Sequence, residues 1–266
     1  MERDFSRLAV VTGASSGIGF ELAKTFAKNG FDLIVAAENA EIINAGNTFR
    51  SYGVDVTTVQ TDLTTLEGVD RLYHKIQLAD QPPSAVALNA GVGICGSFAH
   101  TDFRRELEII NLNIISLVYL TKLVLPDMIK RRSGRILVTS SIAADMPGPF
   151  YAVYAASKAF VQSFAEAVRE EVDDTGVTIT ALQPGATDTN FFRRAEMMNT
   201  KAGVRKKDHP ALVAQQGFDA MMEGKDHIVA GSFLNKVQST LGKLMPQTQG
   251  AKMQGHDVKP GSAYQH

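Results

Sequence analysis

The chain has a single cysteine, Cys95, among its 266 residues. An intrachain disulfide is therefore impossible, and so is a zinc site built from cysteines; no metal centre is expected. Net charge is equally scarce, 27 Lys and Arg standing against 28 Asp and Glu. Nucleic acid and anionic membranes are recognised through surplus positive charge, so no nucleic acid and no membrane is expected as a partner. The runs Lys130-Arg131-Arg132 and Arg205-Lys206-Lys207 read as solvated surface. Long apolar runs are missing too. The stretch from Ile109 to Thr121 carries Asn111 and Asn113 and falls short of the ~20 residues that span a bilayer. The start, Met1-Glu2-Arg3-Asp4-Phe5, lacks the apolar core of a signal peptide, so a cytoplasmic protein is the expectation.

What is present has ordinary globular proportions, 44% hydrophobic and 21% charged, enough for one large α/β domain. Short apolar runs alternate with stretches of helical spacing. Strands are expected at Arg7–Thr12, Phe31–Ala37, Val54–Gln60, Ala85–Leu88, Arg135–Thr139, Val177–Leu182 and His227–Ala230. Between them helices are expected near Gly19–Asn29, Asn39–Tyr52, Leu66–Leu78, Asp102–Arg132, Tyr151–Thr175 and Pro210–Glu223, the last capped by Asp208. Pro126 should kink or restart the long fourth helix, because it removes a backbone donor. This alternation implies βαβ units: a Rossmann-type, doubly wound parallel sheet of about seven strands, helices on both faces. With no repeat and no interior linker, residues 1–245 read as one domain. The tail from Pro246 to His266 has no periodicity and few large apolar residues, so it is expected to be mobile or ordered only against a partner.

Two motifs carry chemistry. Tyr154 and Lys158 are i and i+4, neighbours on one helix face. An ammonium beside a phenol lowers the phenol's pKa and suits it to proton transfer, although such a pair taken alone is more often solvated surface. The second motif lies between the first strand and first helix: Thr12-Gly13-Ala14-Ser15-Ser16-Gly17-Ile18-Gly19. Its glycines permit a tight turn and a ligand phosphate's close approach to a helix N-terminus. The spacing is Gly-x-x-x-Gly-x-Gly.

With these residues in order, followed by Asp62, Asn89-Ala90-Gly91, Asn113, Ser141, Tyr154-x-x-x-Lys158, Pro184-Gly185 and Thr187, the chain resembles the short-chain dehydrogenase/reductase family, in its shorter branch. The likeness covers roughly residues 6 to 232. It implies an NAD(P)-dependent oxidoreductase that interconverts a carbonyl and a secondary alcohol. Tyr154 would be the general acid or base, and Lys158 would tune it and hold the nicotinamide ribose. Ser141, rather than Ser140, would bind the substrate oxygen. Asn113, rather than Asn111, would hold a relay water, unless it only bonds helix backbone. Asp62 and Leu63 would meet the adenine, with Asn89, Ala90 and Gly91 behind it or bridging strands. Pro184, Gly185 and Thr187 would flank the nicotinamide.

The family's substrate lid corresponds to Asp188–Lys207, where Phe191, Phe192, Met197 and Met198 either cover a hydrophobic small-molecule substrate or pack a short helix onto the body. The loop Met146–Tyr151 would form the opposite wall, and Arg193 or Arg194 could clamp an anion. Glu38, about 20 residues beyond the glycine turn, can hold the ribose hydroxyls of NAD and repel a 2′-phosphate. The choice of NAD or NADP therefore leans to NAD, although Asn39 and Ser15 can also hydrogen-bond a phosphate. The apolar residues Leu107, Ile110, Ile114, Leu117, Val118, Phe160, Phe164 and Val168 suggest a homodimer or homotetramer. The competing readings are a non-catalytic dinucleotide sensor on the same fold and a structural protein; the complete Tyr-Lys-Ser-Asn set speaks against both.

Overall fold

The structure is a computed structural model and describes residues 7–264, so the expectation drawn from Met1–Phe5 lies outside the described residues. In chain order the elements are β1 (Leu8–Thr12), α1 (Gly17–Lys28), β2 (Asp32–Ala37), α2 (Glu41–Arg50), β3 (Val56–Gln60), α3 (Leu66–Gln77), β4 (Ala85–Leu88), α4 (Phe103–Ile110), α5 (Ser116–Arg131), β5 (Gly134–Thr139), α6 (Ala152–Glu171) and β6 (Val177–Pro184). Two short helices follow in the segment expected to be a lid, α7 (Phe191–Arg194) and α8 (Lys201–Val204), then α9 (Pro210–Met222), β7 (His227–Ala230), α10 (Phe233–Leu244) and α11 (Gln247–Val258). The strands form one sheet in the order β3-β2-β1-β4-β5-β6-β7, every pair parallel. The order reverses between β1 and β4, and such a switch point opens a crevice at the strands' carboxyl ends.

Both sheet faces are covered, which is why β1 is buried at every position and reads as a continuous apolar run. Leu8 and Val10 join a core with Leu72 of α3, Leu120 of α5 and Val161 of α6. Ala9 and Val11 face the other way, onto Leu22 and Phe26 of α1, Phe49 of α2 and Val213 of α9. The period-2 side-chain alternation thus serves two cores. By length and composition the helical stretch Phe103–Arg131 could cross a membrane. Its residues Leu117, Leu120, Val124 and Met128 are instead built into the first core.

Three local expectations are corrected. Pro126 lies inside α5 without ending it: it is exposed, as is Lys122, whose carbonyl loses the bond, so water can replace the missing donor. The irregularity falls earlier, at Asn111–Ile115, which is a turn of π-helix. The cap of α9 is His209, whose Nδ1 accepts from the Ala211 amide at 3.2 Å. Asp208 instead accepts from the Ser232 amide and the Asn235 side chain, and its backbone bridges Thr187. The segment 188–207 therefore leaves and rejoins the body at one pinned point. Finally, the tail expected to be mobile forms α11, with Gly250, Gln254 and Val258 buried.

Candidate active site

The glycine turn sits at the switch point. Gly13 has φ 67°, where a side chain is strained. A Cβ on Gly19 would run into the Gly13 carbonyl oxygen and the Asn89 side chain. Thr12 fastens the turn to β4, its Oγ1 accepting from the Asn89 and Ala90 amides at 3.0 and 3.1 Å. Asn89 itself is a bridge: Nδ2 donates to the Thr12 carbonyl at 3.3 Å and Oδ1 accepts from Thr139 Oγ1 at 3.2 Å. A cleft of about 240 Å³ runs from this turn to the lid. Of the catalytic and cofactor-binding residues expected, all line it except Thr12, Gly19 and Asn113, which stand behind the wall, and of the loop Met146–Tyr151 only Tyr151 reaches it.

Asn113 lies in the π turn. Its Oδ1 accepts from the Val92 amide and its Nδ2 donates to the Val92 carbonyl and to Ser157 Oγ, all at 3.0 Å. It thus locks the Gly91–Val92 segment against α6. Ser140 is turned inward and donates to the Lys158 carbonyl at 3.0 Å. Ser140 and Ser141 both line the cleft together with Tyr154; Ser141 is only partly buried, and its Oγ accepts from the Ala143 amide at 3.1 Å.

The Tyr154–Lys158 pair differs from expectation. The Lys158 Nζ lies 5.8 Å from the Tyr154 ring centroid, over its face, and donates to the Thr139 carbonyl at 2.8 Å. It is not placed against the phenol oxygen, and desolvation decides both pKa values. Burial raises Tyr154 to about 12, with Ser141 opposing the shift; burial lowers Lys158 to about 8. The i, i+4 spacing gives proximity, but the backbone carbonyl at the end of β5 takes the ammonium.

The family model of the short chain dehydrogenases matches residues 7–200. This chain belongs to that family. Among its relatives is the Bacillus subtilis uncharacterized oxidoreductase YmfI, 31% identical over 192 residues, 71% of this chain and 78% of the relative. The Nostoc ketoacyl reductase HetN is 31% identical over 242 residues, 90% of this chain and 83% of the relative. Two solved structures share the fold. A short-chain dehydrogenase from Sphingobium yanoikuyae in complex with NADPH has a TM-score of 0.79 at 23% identity, over 92% of this chain and 99% of that one. One from Burkholderia phymatum in complex with NAD has 0.76 at 23%, over 86% and 90%.

In this short-chain dehydrogenase the lid end of the cleft is apolar. Phe191 packs on Tyr154 with ring centroids 5.0 Å apart, and Tyr151 stacks on it at 5.8 Å. Phe192 and Met197 are buried in the same cluster. Met198 is half exposed and does not line the cleft, against expectation. The sequence reading missed α11, which supplies Met253, Gln254 and Val258 to the wall. It is held by Cys95, whose thiol donates to the Val258 carbonyl at 3.4 Å and whose pKa burial raises to about 11. It also missed a crossing contact. Arg194 at the end of α7 reaches the carboxylate of Glu38, 3.8 Å away, at the far side of the cleft.

Proposed function

We propose that this chain interconverts a carbonyl and a secondary alcohol with a nicotinamide dinucleotide, Tyr154 acting as general acid in reduction and general base in oxidation. The observation that carries this reading is the placement of Ser141, Tyr154 and Lys158 in one cleft with the glycine cradle. The cradle fits such a cofactor, because Gly13 and Gly17 line the cleft without side chains and α1 begins there, turning its free N–H groups toward an anion. Gly13, Ser15, Ser16, Gly17 and Ile18 would hold the phosphates and Asp62 and Leu63 the adenine. Lys158 would hold the nicotinamide ribose. When bound, the dinucleotide supplies or accepts the hydride. Ser141 orients the substrate oxygen and Tyr154 gives it a proton, a step typically worth 10²–10⁴-fold in rate. The lid and α11 exclude water from the substrate. Their apolar lining, and a ketoacyl reductase among the relatives, favour a carbonyl carrying an apolar substituent.

The same reading makes NAD the preferred cofactor. Glu38 follows β2 directly and lines the cleft where the adenosine ribose would lie, and a carboxylate there disfavours a 2′-phosphate. Arg194 works in the opposite sense, since an arginine that reaches Glu38 also reaches a phosphate in its place. Titration of Glu38→Arg with NADH and NADPH should move the preference toward NADPH by about tenfold or more. Tighter NADPH binding by the unaltered chain, or no change in the variant, would contradict the assignment.

We also propose a homodimer or homotetramer paired through α4–α6. Leu107, Ile115 and Phe160 there are each more than 40% exposed, and Phe160 stacks on Phe164 at 6.1 Å, although Leu117 is buried. A monomer by light scattering at micromolar concentration would rule this out.

A further inference from the structure

Helix α10 is built inside out. A helix packed on a globular body ordinarily turns its apolar stripe inward. Here the buried positions are Asn235, Ser239 and Gly242, while Phe233, Leu234, Val237, Leu241 and Leu244 are exposed, three of them by about three quarters. At 100° per residue those five side chains share an arc about 100° wide. The inward face is pinned by polar contacts rather than by a core. Asn235 Nδ2 donates to Asp208 Oδ2 at 2.7 Å and to the Ala230 carbonyl at 3.0 Å, and Ser239 is buried on the same side. Gly242 admits Met146 against the helix backbone. These contacts fix which side faces outward, so the apolar face is a property of the fold. Five large residues in one stripe exceed the scattered apolar exposure that is normal for a surface.

Charge identifies what covers it. From Gly231 to Tyr264 the chain has four lysines, Lys236, Lys243, Lys252 and Lys259, against one aspartate, Asp257, a net of +3 in a chain of net −1. Asp257 is already paired with Arg205 at 3.2 Å. All four lysines are exposed, and only Lys243 has an acidic neighbour among the described residues, Asp145 at 4.0 Å. The expectation of no membrane partner rests on whole-chain charge, and this end of the molecule departs from it. A second copy fits poorly, because a two-fold pairing of α10 with itself sets Lys236 against Lys236 or, antiparallel, near Lys243.

We propose that α10 is an interfacial helix that docks this end of the protein on an anionic lipid surface, leucines and phenylalanine in the acyl boundary and lysines among the headgroups. The surface adjoins α11 and so lies beside the apolar end of the cleft. The proposal does not depend on the reaction assigned above.

Cosedimentation of the full chain with vesicles tests it, using phosphatidylcholine alone and an equal mixture with phosphatidylserine. The unaltered chain should bind the mixture, and binding should weaken as salt is raised. Leu234→Gln with Leu241→Gln should weaken binding by about tenfold or more, and Lys236→Glu, a fully surface change, should weaken it as well. Thermal melting should be nearly unchanged in both, since none of these side chains is buried. Four results overturn the proposal: no binding to either vesicle, equal binding to both, binding indifferent to the leucine changes, or an oligomer in light scattering that the leucine changes dissociate.

Discussion

Replacing Tyr154 by Phe should slow carbonyl reduction by roughly 10²–10⁴-fold while leaving dinucleotide affinity nearly unchanged. The substitution deletes one oxygen. The packing of the ring on Phe191 and Tyr151 survives, and Ser141 keeps its contact with the Ala143 amide at 3.1 Å, so a loss of rate reports the proton and not the fold. The pH dependence gives a second signature. Burial raises Tyr154 to about 12, so at neutral pH the phenol is protonated and ready to donate. Oxidation needs the phenolate, and its rate should climb about tenfold per pH unit between about pH 7 and 9. Reduction should show no such climb, and Tyr154→Phe should abolish the climb in oxidation. Near-normal reduction by the Phe variant would remove Tyr154 from the mechanism.

Lys158→Met should have the other large effect, lowering rate by about 10²-fold or more and weakening dinucleotide binding together, because one group is assigned both tasks. Stability separates this from simple damage. Burial holds Lys158 near 8 against 10.5 in an unconstrained chain. A lowered folded pKa means that its contribution to stability is complete above about pH 10.5 and is lost as pH falls through about 8. The methionine relieves that cost at neutral pH but leaves the Thr139 carbonyl without its donor, a penalty of about 1–3 kcal/mol. The two oppose, so the melting temperature should move by only a few degrees. The double variant Tyr154→Phe with Lys158→Met should be little worse than either single change, as expected of groups acting as a unit. Calorimetry and kinetics on the same preparations check both points; unchanged dinucleotide affinity in Lys158→Met would contradict the double role.

The body of the fold was legible in the sequence because its strands are buried on both faces and its glycines are needed by position. Leu8–Val11 suits a strand buried on both faces, and Gly19 tolerates no side chain beside the Gly13 carbonyl. Other features depend on three dimensions. The i, i+4 spacing places Lys158 near Tyr154 but does not say that Thr139 will capture the ammonium. Asn113 was expected at the site, yet the π turn that sets its side chain on Val92 leaves no mark in composition. Glu38 and Arg194 are distant in sequence and meet only because the lid crosses the cleft. Helices α10 and α11 escaped because periodicity is read as an inward apolar stripe. In α10 the stripe points outward, and α11 presents isolated residues such as Met253 and Val258 on a polar helix.

Transfer of isotope from cofactor to substrate tests the proposed chemistry most directly. The chain should be incubated with reduced dinucleotide carrying two deuterons at the transferring carbon of the nicotinamide and a panel of apolar ketones, and the alcohols analysed by mass and chirality. The expected result is an alcohol carrying one deuterium on the former carbonyl carbon in a single configuration, formed by the unaltered chain and lost in Tyr154→Phe. Tight dinucleotide binding with no labelled alcohol from any ketone in the panel would contradict it and would describe a sensor that kept the cradle without the reaction.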